Sequence, residues 1–207
     1  MSTYLAFVGA ALVVLLIPGM GVMYVVTRSV SQGRRAGLLS VLGLATGALL
    51  HVLAATLGLS ALLLTSAAAF GIVKILGAAY LIFLGLRSWL SREPAASAAV
   101  AVSRSLRSLY AGGVLVSAFN PKLALFFLAF LPQFVVPGRA PIPQQVLLLG
   151  LSYVALALLT DGAYALLAAS IGSRFNNALW RGSMLRHVTG SVYLGLGLCT
   201  ALISRRP

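Results

Sequence analysis

Residues 108–136 read SLYAGGVLVSAFNPKLALFFLAFLPQFVV. The run is long and apolar enough to cross a bilayer, which takes about 20 residues as a helix. Yet Asn120-Pro121-Lys122 interrupts it near the middle. Proline has no N–H to give the preceding turn, so a helix bends or breaks there. Asn suits an N-cap and Pro suits the first helical position, so Asn120 and Pro121 are expected to start a second half-helix. At 1.5 Å per residue the break lies about 20 Å from the basic, cytoplasmic end of the span, near the bilayer midplane. A lysine at that depth is costly and cannot easily reach water. A half-helix start beside an ammonium attracts a carboxylate, so the pattern points to a cavity. The plainer reading is a proline kink, with Lys122 neutral or paired to Asp161.

Composition extends this outward. Of the 207 residues 60% are apolar and 8% charged, with mean hydropathy +1.04. A soluble domain carries about a quarter of its residues as charges, so this chain cannot cover a water-facing surface. It reads as an all-α, polytopic membrane protein. A soluble enzyme, a secreted disulfide scaffold and a nucleic-acid-binding domain are excluded together. Cys199 stands alone in an apolar run, which argues against disulfides and cysteine metal clusters. Met1-Ser2-Thr3-Tyr4 offers no basic leader, so the first apolar stretch is kept as a span and not a signal peptide.

Six apolar segments stand out, at about 4–26, 38–64, 67–90, 108–136, 144–171 and 185–204. Arginines sort between the loops. Arg28, Arg34 and Arg35 lie in the first, Arg87, Arg92, Arg104 and Arg107 in the third, and Arg174, Arg181 and Arg186 in the fifth. The second has none and the fourth only Arg139. Because basic loops stay in the cytoplasm, the net charge of +13 reads as an orientation signal and not as a nucleic-acid site. Both termini are then expected outside, with Arg205 and Arg206 running against the rule.

The chain divides as one transmembrane domain over residues 1–207. The first repeat covers about 1–90, a cytoplasmic linker about 91–107, and the second repeat about 108–207. Three spans per half make the halves antiparallel, as in inverted-repeat transporters. Span 3 carries Lys74-x-x-Gly77-x-x-Tyr80-Leu81 and span 6 carries His187-x-x-Gly190-x-x-Tyr193-Leu194. Spans 1 and 4 are each interrupted, at Pro18-Gly19 (with Gly21 following) and at Asn120-Pro121. Paired interruptions of this kind are the best sequence pointer to a transporter's binding site.

Pro18, Gly19, Asn120, Pro121, Lys122 and Asp161 are therefore the candidate substrate-binding residues. Asp161 is the one acid inside a span, since Glu93 falls in the linker. It could hold an ammonium, neutralise Lys122 or carry a proton. His51, mid-span 2, is a second proton candidate, because histidine titrates near neutrality. Its alternative duty is helix packing. Lys74 is a secondary candidate, shallow enough to snorkel. Gly43-x-x-x-Gly47 fits close helix packing in lipid. No catalytic or phosphate-binding signature is present, so neither enzyme activity, cofactor nor metal is expected.

These motifs resemble the LysE/RhtB family of bacterial amino-acid exporters. The resemblance rests on Pro-Gly in span 1, Gly33-Arg34-Arg35-Ala36-Gly37, Gly43…Gly47…His51, Gly58-Leu59-Ser60, Lys74 through Gly85, Asn120-Pro121-Lys122 through Leu131-Pro132-Gln133-Phe134, and Gly190 through Gly197. It covers essentially the whole chain in order. The family commonly has Pro-Gly-Pro in span 1, whereas Met20 takes the third position here. The resemblance implies secondary, proton-powered export of amino acids or close derivatives from a bacterial inner (plasma) membrane. Small carriers of this kind often pair, which makes a homodimer an expectation. With no second acid in the cavity, neutral or zwitterionic substrates such as homoserine or threonine are favoured over cationic ones. A cation carrier or channel of the same general type is the alternative, and a membrane-embedded enzyme ranks below it.

Overall fold

The computed structural model describes residues 2–59 and 105–171, together with the single positions 72, 75, 83 and 86. Among them every regular element is helical: α1 (Ser2–Leu16), α2 (Met20–Ala54) running into a π-helical turn (Ala55–Leu59), α3 (Leu106–Ala118), α4 (Pro121–Leu125) followed by a π-helical turn (Phe126–Phe130) and a 3₁₀ turn (Leu131–Phe134), and α5 (Ile142–Ile171). By length and composition Met20–Gly58 and Ile142–Ser170 each pass as candidates to cross a membrane, although the first folds back at Gly33. Leu106–Ala118 with Pro121–Phe134 makes a third candidate, bent by 45° at its break. Leu148, Leu159 and Leu167 on α5 are exposed, an apolar exterior that suits lipid.

The expected loop between spans 1 and 2 is absent. Helix continues from Met20 to Ala54 with one interruption, Gly33, at φ 81° and ψ −175°. Only glycine adopts that backbone at no steric cost, so a single residue turns the chain. A straight helix would put Gly21 and Leu44 about 35 Å apart. Here a β-carbon on Gly21 would lie 3.4 Å from the Leu44 side chain, and Val25 packs with Val41 and Leu44 in one buried cluster with Ala165. The segment is a hairpin, and Arg28, Arg34 and Arg35 flank its tip. Sequence patterning extends the polar stretch to a loop because it registers the charges and not the one positive φ.

Small residues set how closely α3 approaches α2. A β-carbon on Gly43 would fall 2.3 Å from the Tyr110 carbonyl, and one on Gly47 would fall 2.6 Å from the Val114 carbonyl. Gly113 faces the Ser40 carbonyl at 2.6 Å in the same sense. The Gly43-x-x-x-Gly47 expectation is met, and its partner stripe on α3 is Gly113 and Ser117. Tyr24 ties the pair by donating its hydroxyl to the Leu109 carbonyl at 2.7 Å.

The larger core joins α1, α5 and the turns after α4. Phe126 packs on Tyr153 at 4.6 Å between ring centroids, and Phe7 meets Phe134 edge-on at 5.3 Å. Residues 126, 130 and 134 recur at helical spacing, so one aromatic stripe seals this end. The Pro137–Pro143 connection is pinned by Gln145. Its amide donates to the carbonyls of Val136 and Ala140 and its oxygen accepts from Val136 N–H. At the opposite end Arg34 donates to Ser170 at 3.2 Å, which gathers the Gly33 turn and the end of α5. The basic hairpin tip and the loop bearing Arg139 thus lie at opposite ends. Span 6, Lys74, both repeat echoes, all of span 3 but four single positions, and the linker up to residue 104 fall outside the described residues. Helix α3 already begins at Leu106, within the expected linker.

Candidate functional site

Two proline breaks face one another. In a helix the Val14 carbonyl takes its hydrogen bond from the N–H four residues on, but that residue is Pro18 and has none. The α1 helix ends at Leu16, and α2 begins at Met20 with Gly19 as an N-cap lacking any side-chain hydrogen bond. The same arithmetic applies downstream, where Pro121 leaves the Ser117 carbonyl without its normal donor.

The first break is satisfied from far away in sequence. The Lys122 ammonium donates to the Val14 carbonyl at 2.6 Å and to the Ile17 carbonyl at 3.0 Å. The Tyr164 hydroxyl donates to the Leu16 carbonyl at 2.9 Å. The two Lys122 bonds are partly buried and the Tyr164 bond is exposed. A hydrogen bond to a charged donor contributes about 1.5–3 kcal/mol at most, so Lys122 is the main tie on the broken end of α1. Gly19 lies alongside, where a β-carbon would sit 3.6 Å from Lys122 Cδ.

The second break is satisfied mainly by its own residues. Asn120 caps α4, accepting on Oδ1 from the Lys122 N–H at 3.0 Å, with Pro121 at the first helical position. Asn120 N–H donates to the Ser117 carbonyl at 3.0 Å. His51 supplies the second bond to that carbonyl, Nε2 to oxygen at 3.1 Å. A carbonyl can only accept, so Nε2 carries a proton. The imidazole also stacks on Phe127, with centroids 6.1 Å apart and planes 11° apart.

Between the breaks lies a cavity of about 60 Å³, room for a few water molecules. Leu15, Gly19, Gly21 and Val22 line it from the first break, and Ser117, Asn120, Lys122 and Leu123 from the second. Asp161 and Tyr153 close it from α5. Lys122 and Asp161 interact electrostatically across it. An ammonium, a carboxylate and the uncapped start of α2 therefore converge on one small space, and the ammonium links it to the Val14 and Ile17 carbonyls.

Of the residues picked from sequence, Gly19, Asn120, Lys122 and Asp161 line this cavity. Pro18 and Pro121 act through the donors they remove. His51 sits behind the second break, outside the lining. Tyr164 is the residue that sequence reading missed. Its place three positions after Asp161, one helical turn on the same face of α5, was the available signal.

A profile of the family described as LysE type translocator matches residues 12–203. A membrane protein of Vibrio cholerae is 34% identical over 200 residues, 96% of either chain. The homoserine/homoserine lactone efflux protein of Salmonella typhimurium is 34% identical over 156 residues, 75% of either chain. The leucine efflux protein of Salmonella choleraesuis is 29% identical over 133 residues, 64% of this chain and 63% of its own. No solved structure matches.

Proposed function

The chain belongs to the LysE type translocator family, and on that premise we propose that it exports amino acids or close derivatives across the bacterial inner membrane in exchange for protons. The observation that carries this reading is the bridge from Lys122 in one broken helix to the freed carbonyls of the other, with Asp161 on the same cavity. Half-helix ends that meet inside the membrane are where secondary transporters hold substrate and coupling ion.

A zwitterion fits the charges present. Its carboxylate suits Lys122 and the uncapped start of α2, and its ammonium suits carbonyl oxygens and Asp161. Homoserine, homoserine lactone and leucine, the compounds in the relatives' names, share a primary amine. Neutral substrates of the homoserine or threonine kind are favoured, since Asp161 is the one acid in a span. Asp161 is also placed to exchange a proton as substrate comes and goes. The reading includes six spans in two inverted repeats, with the basic hairpin end in the cytoplasm, both termini outside, and a homodimer as the assembly.

Counterflow in proteoliposomes tests it, with labelled L-homoserine, L-threonine, L-leucine and L-lysine as the panel and a lumenal pH dye. Neutral amino acids are expected to exchange about tenfold faster than lysine, equivalent to about 1.4 kcal/mol of discrimination. Asp161→Asn is expected to lose pH-driven accumulation while retaining exchange, which moves no net proton, at a reduced rate because one partner of the substrate ammonium is gone. No exchange with any of the four sinks the export reading. Undiminished pH-driven accumulation by Asp161→Asn removes the proton from Asp161.

A further inference from the structure

The Lys122 side chain reaches away from its own helix to bond two carbonyls of another, at 2.6 and 3.0 Å. What those oxygens receive is a primary ammonium, and an amino acid carries the same group. We propose that the Val14 and Ile17 carbonyls are the recognition site for the substrate's α-ammonium, and that Lys122 is a tethered stand-in that substrate displaces. The inference rests on the export reading and names the subsite within it.

Three observations lead there. The Val14 carbonyl is open to an outside donor because Pro18 has no N–H. The side chain that fills the two oxygens, Lys122, itself lines the cavity that also holds Asp161, so an ammonium arriving through that cavity in its place meets negative charge as well as acceptors. Two carbonyls suit the N–H bonds of an ammonium, whereas an alkali cation replaces its water shell with a fuller ring of oxygens. Displacement keeps charge balanced. The incoming ammonium takes the oxygens, and the freed Lys122 ammonium takes the incoming carboxylate. No bare charge is left buried, a condition that a zwitterion meets and a simple amine does not.

A tethered competitor leaves a signature. If Lys122 fills the site nine-tenths of the time, a free amine binds about tenfold more weakly than it would to the vacant site. Removing the competitor should strengthen amine binding and weaken carboxylate binding in the same protein. A lysine that only holds the substrate carboxylate gives no gain for amines.

The experiment is direct binding to purified full-length protein in detergent, wild type against Lys122→Met. L-homoserine lactone and L-leucinamide serve as amines without a carboxylate, and N-acetyl-L-homoserine as a carboxylate without an amine. The N-trimethylated leucinamide is the control, because it keeps the charge and has no N–H on its cationic nitrogen. Lys122→Met is expected to bind both amines about tenfold more tightly, to bind N-acetyl-L-homoserine more weakly, and to gain nothing for the trimethylated probe. Unchanged or weaker amine binding overturns the proposal, and so does an equal gain for the trimethylated probe, which would report charge alone. Should Lys122→Met fail to fold, Pro18→Ala decides. It restores an N–H to the Val14 carbonyl and is expected to lose amine binding, and retained binding overturns the proposal. Failure of wild-type counterflow would instead strike the export reading, so the two failures remain separate.

Discussion

The two proline breaks use the same covalent device and settle it in opposite ways. At Asn120-Pro121 the repair is mostly local: Asn120 caps the new helix, its own N–H bonds Ser117, and His51 adds one contact. At Pro18-Gly19 the repair is remote, because Lys122 and Tyr164 reach in from spans more than a hundred residues away and Gly19 contributes no side-chain cap. A locally satisfied break keeps its geometry when neighbours move. A remotely satisfied break changes whenever its donors are called elsewhere. If export uses this site, the second break is expected to serve as the frame and the first as the moving part.

The frame fails most completely where its seat is removed. Gly47 lies against α3, and a β-carbon there would fall 2.6 Å from both Ser117 Cβ and the Val114 carbonyl. Backbone cannot yield as a side-chain tip does, and overpacking of this kind costs about 1–3 kcal/mol or more. Gly47→Val is expected to abolish a monodisperse peak in size-exclusion chromatography, with transport lost in parallel. A well-folded Gly47→Val protein with normal counterflow would show that α3 does not fix the second break.

A smaller effect separates frame from moving part. Asn120→Ala removes one N-cap, worth about 1 kcal/mol, which in a chain of this size lowers Tm by about 2–4 °C. Counterflow is expected to stay within about threefold of wild type, as a change below about 0.7 kcal/mol implies, if the self-satisfied cap keeps its place while the first break exchanges donors. Loss of transport at unchanged Tm would mean that Asn120 touches the substrate, which would sharpen the comparison by moving part of the site onto the second break.

Much of this was legible in the residues. Proline and the residue before it are local signals, so both breaks, the Asn120 cap and the Gly43-x-x-x-Gly47 contact could be read from spacing alone. Lys122 and Asp161 showed themselves because charges are rare in these spans. What spacing cannot show is direction across the fold. That Lys122 crosses to the end of α1 depends on how spans 1 and 4 pack. Tyr164 in an apolar run looks like any other helix-facing aromatic. The Gly33 turn was hidden for another reason: one residue with positive φ does the work of a loop, and the arginines around it resemble one.

The smallest expected effect tests whether His51 belongs to the frame or to proton movement. Its Nε2–H is the second donor to a carbonyl that already accepts from Asn120 N–H. A net contribution of about 0.5–1.5 kcal/mol is the range for one hydrogen bond of this kind. His51→Gln keeps an N–H donor of similar reach but cannot carry a proton, whereas His51→Leu removes the donor and keeps the bulk. If His51 is structural, His51→Gln melts within about 2 °C of wild type, and His51→Leu falls by about 2–6 °C. Both would still acidify the vesicle lumen on substrate exit, measured with the same pH dye. A His51→Gln protein that folds and exchanges normally yet moves no protons reverses the assignment. The coupling group would then sit behind the locally repaired break, and the division into frame and moving part would fail at a residue that links α2 to the end of α3.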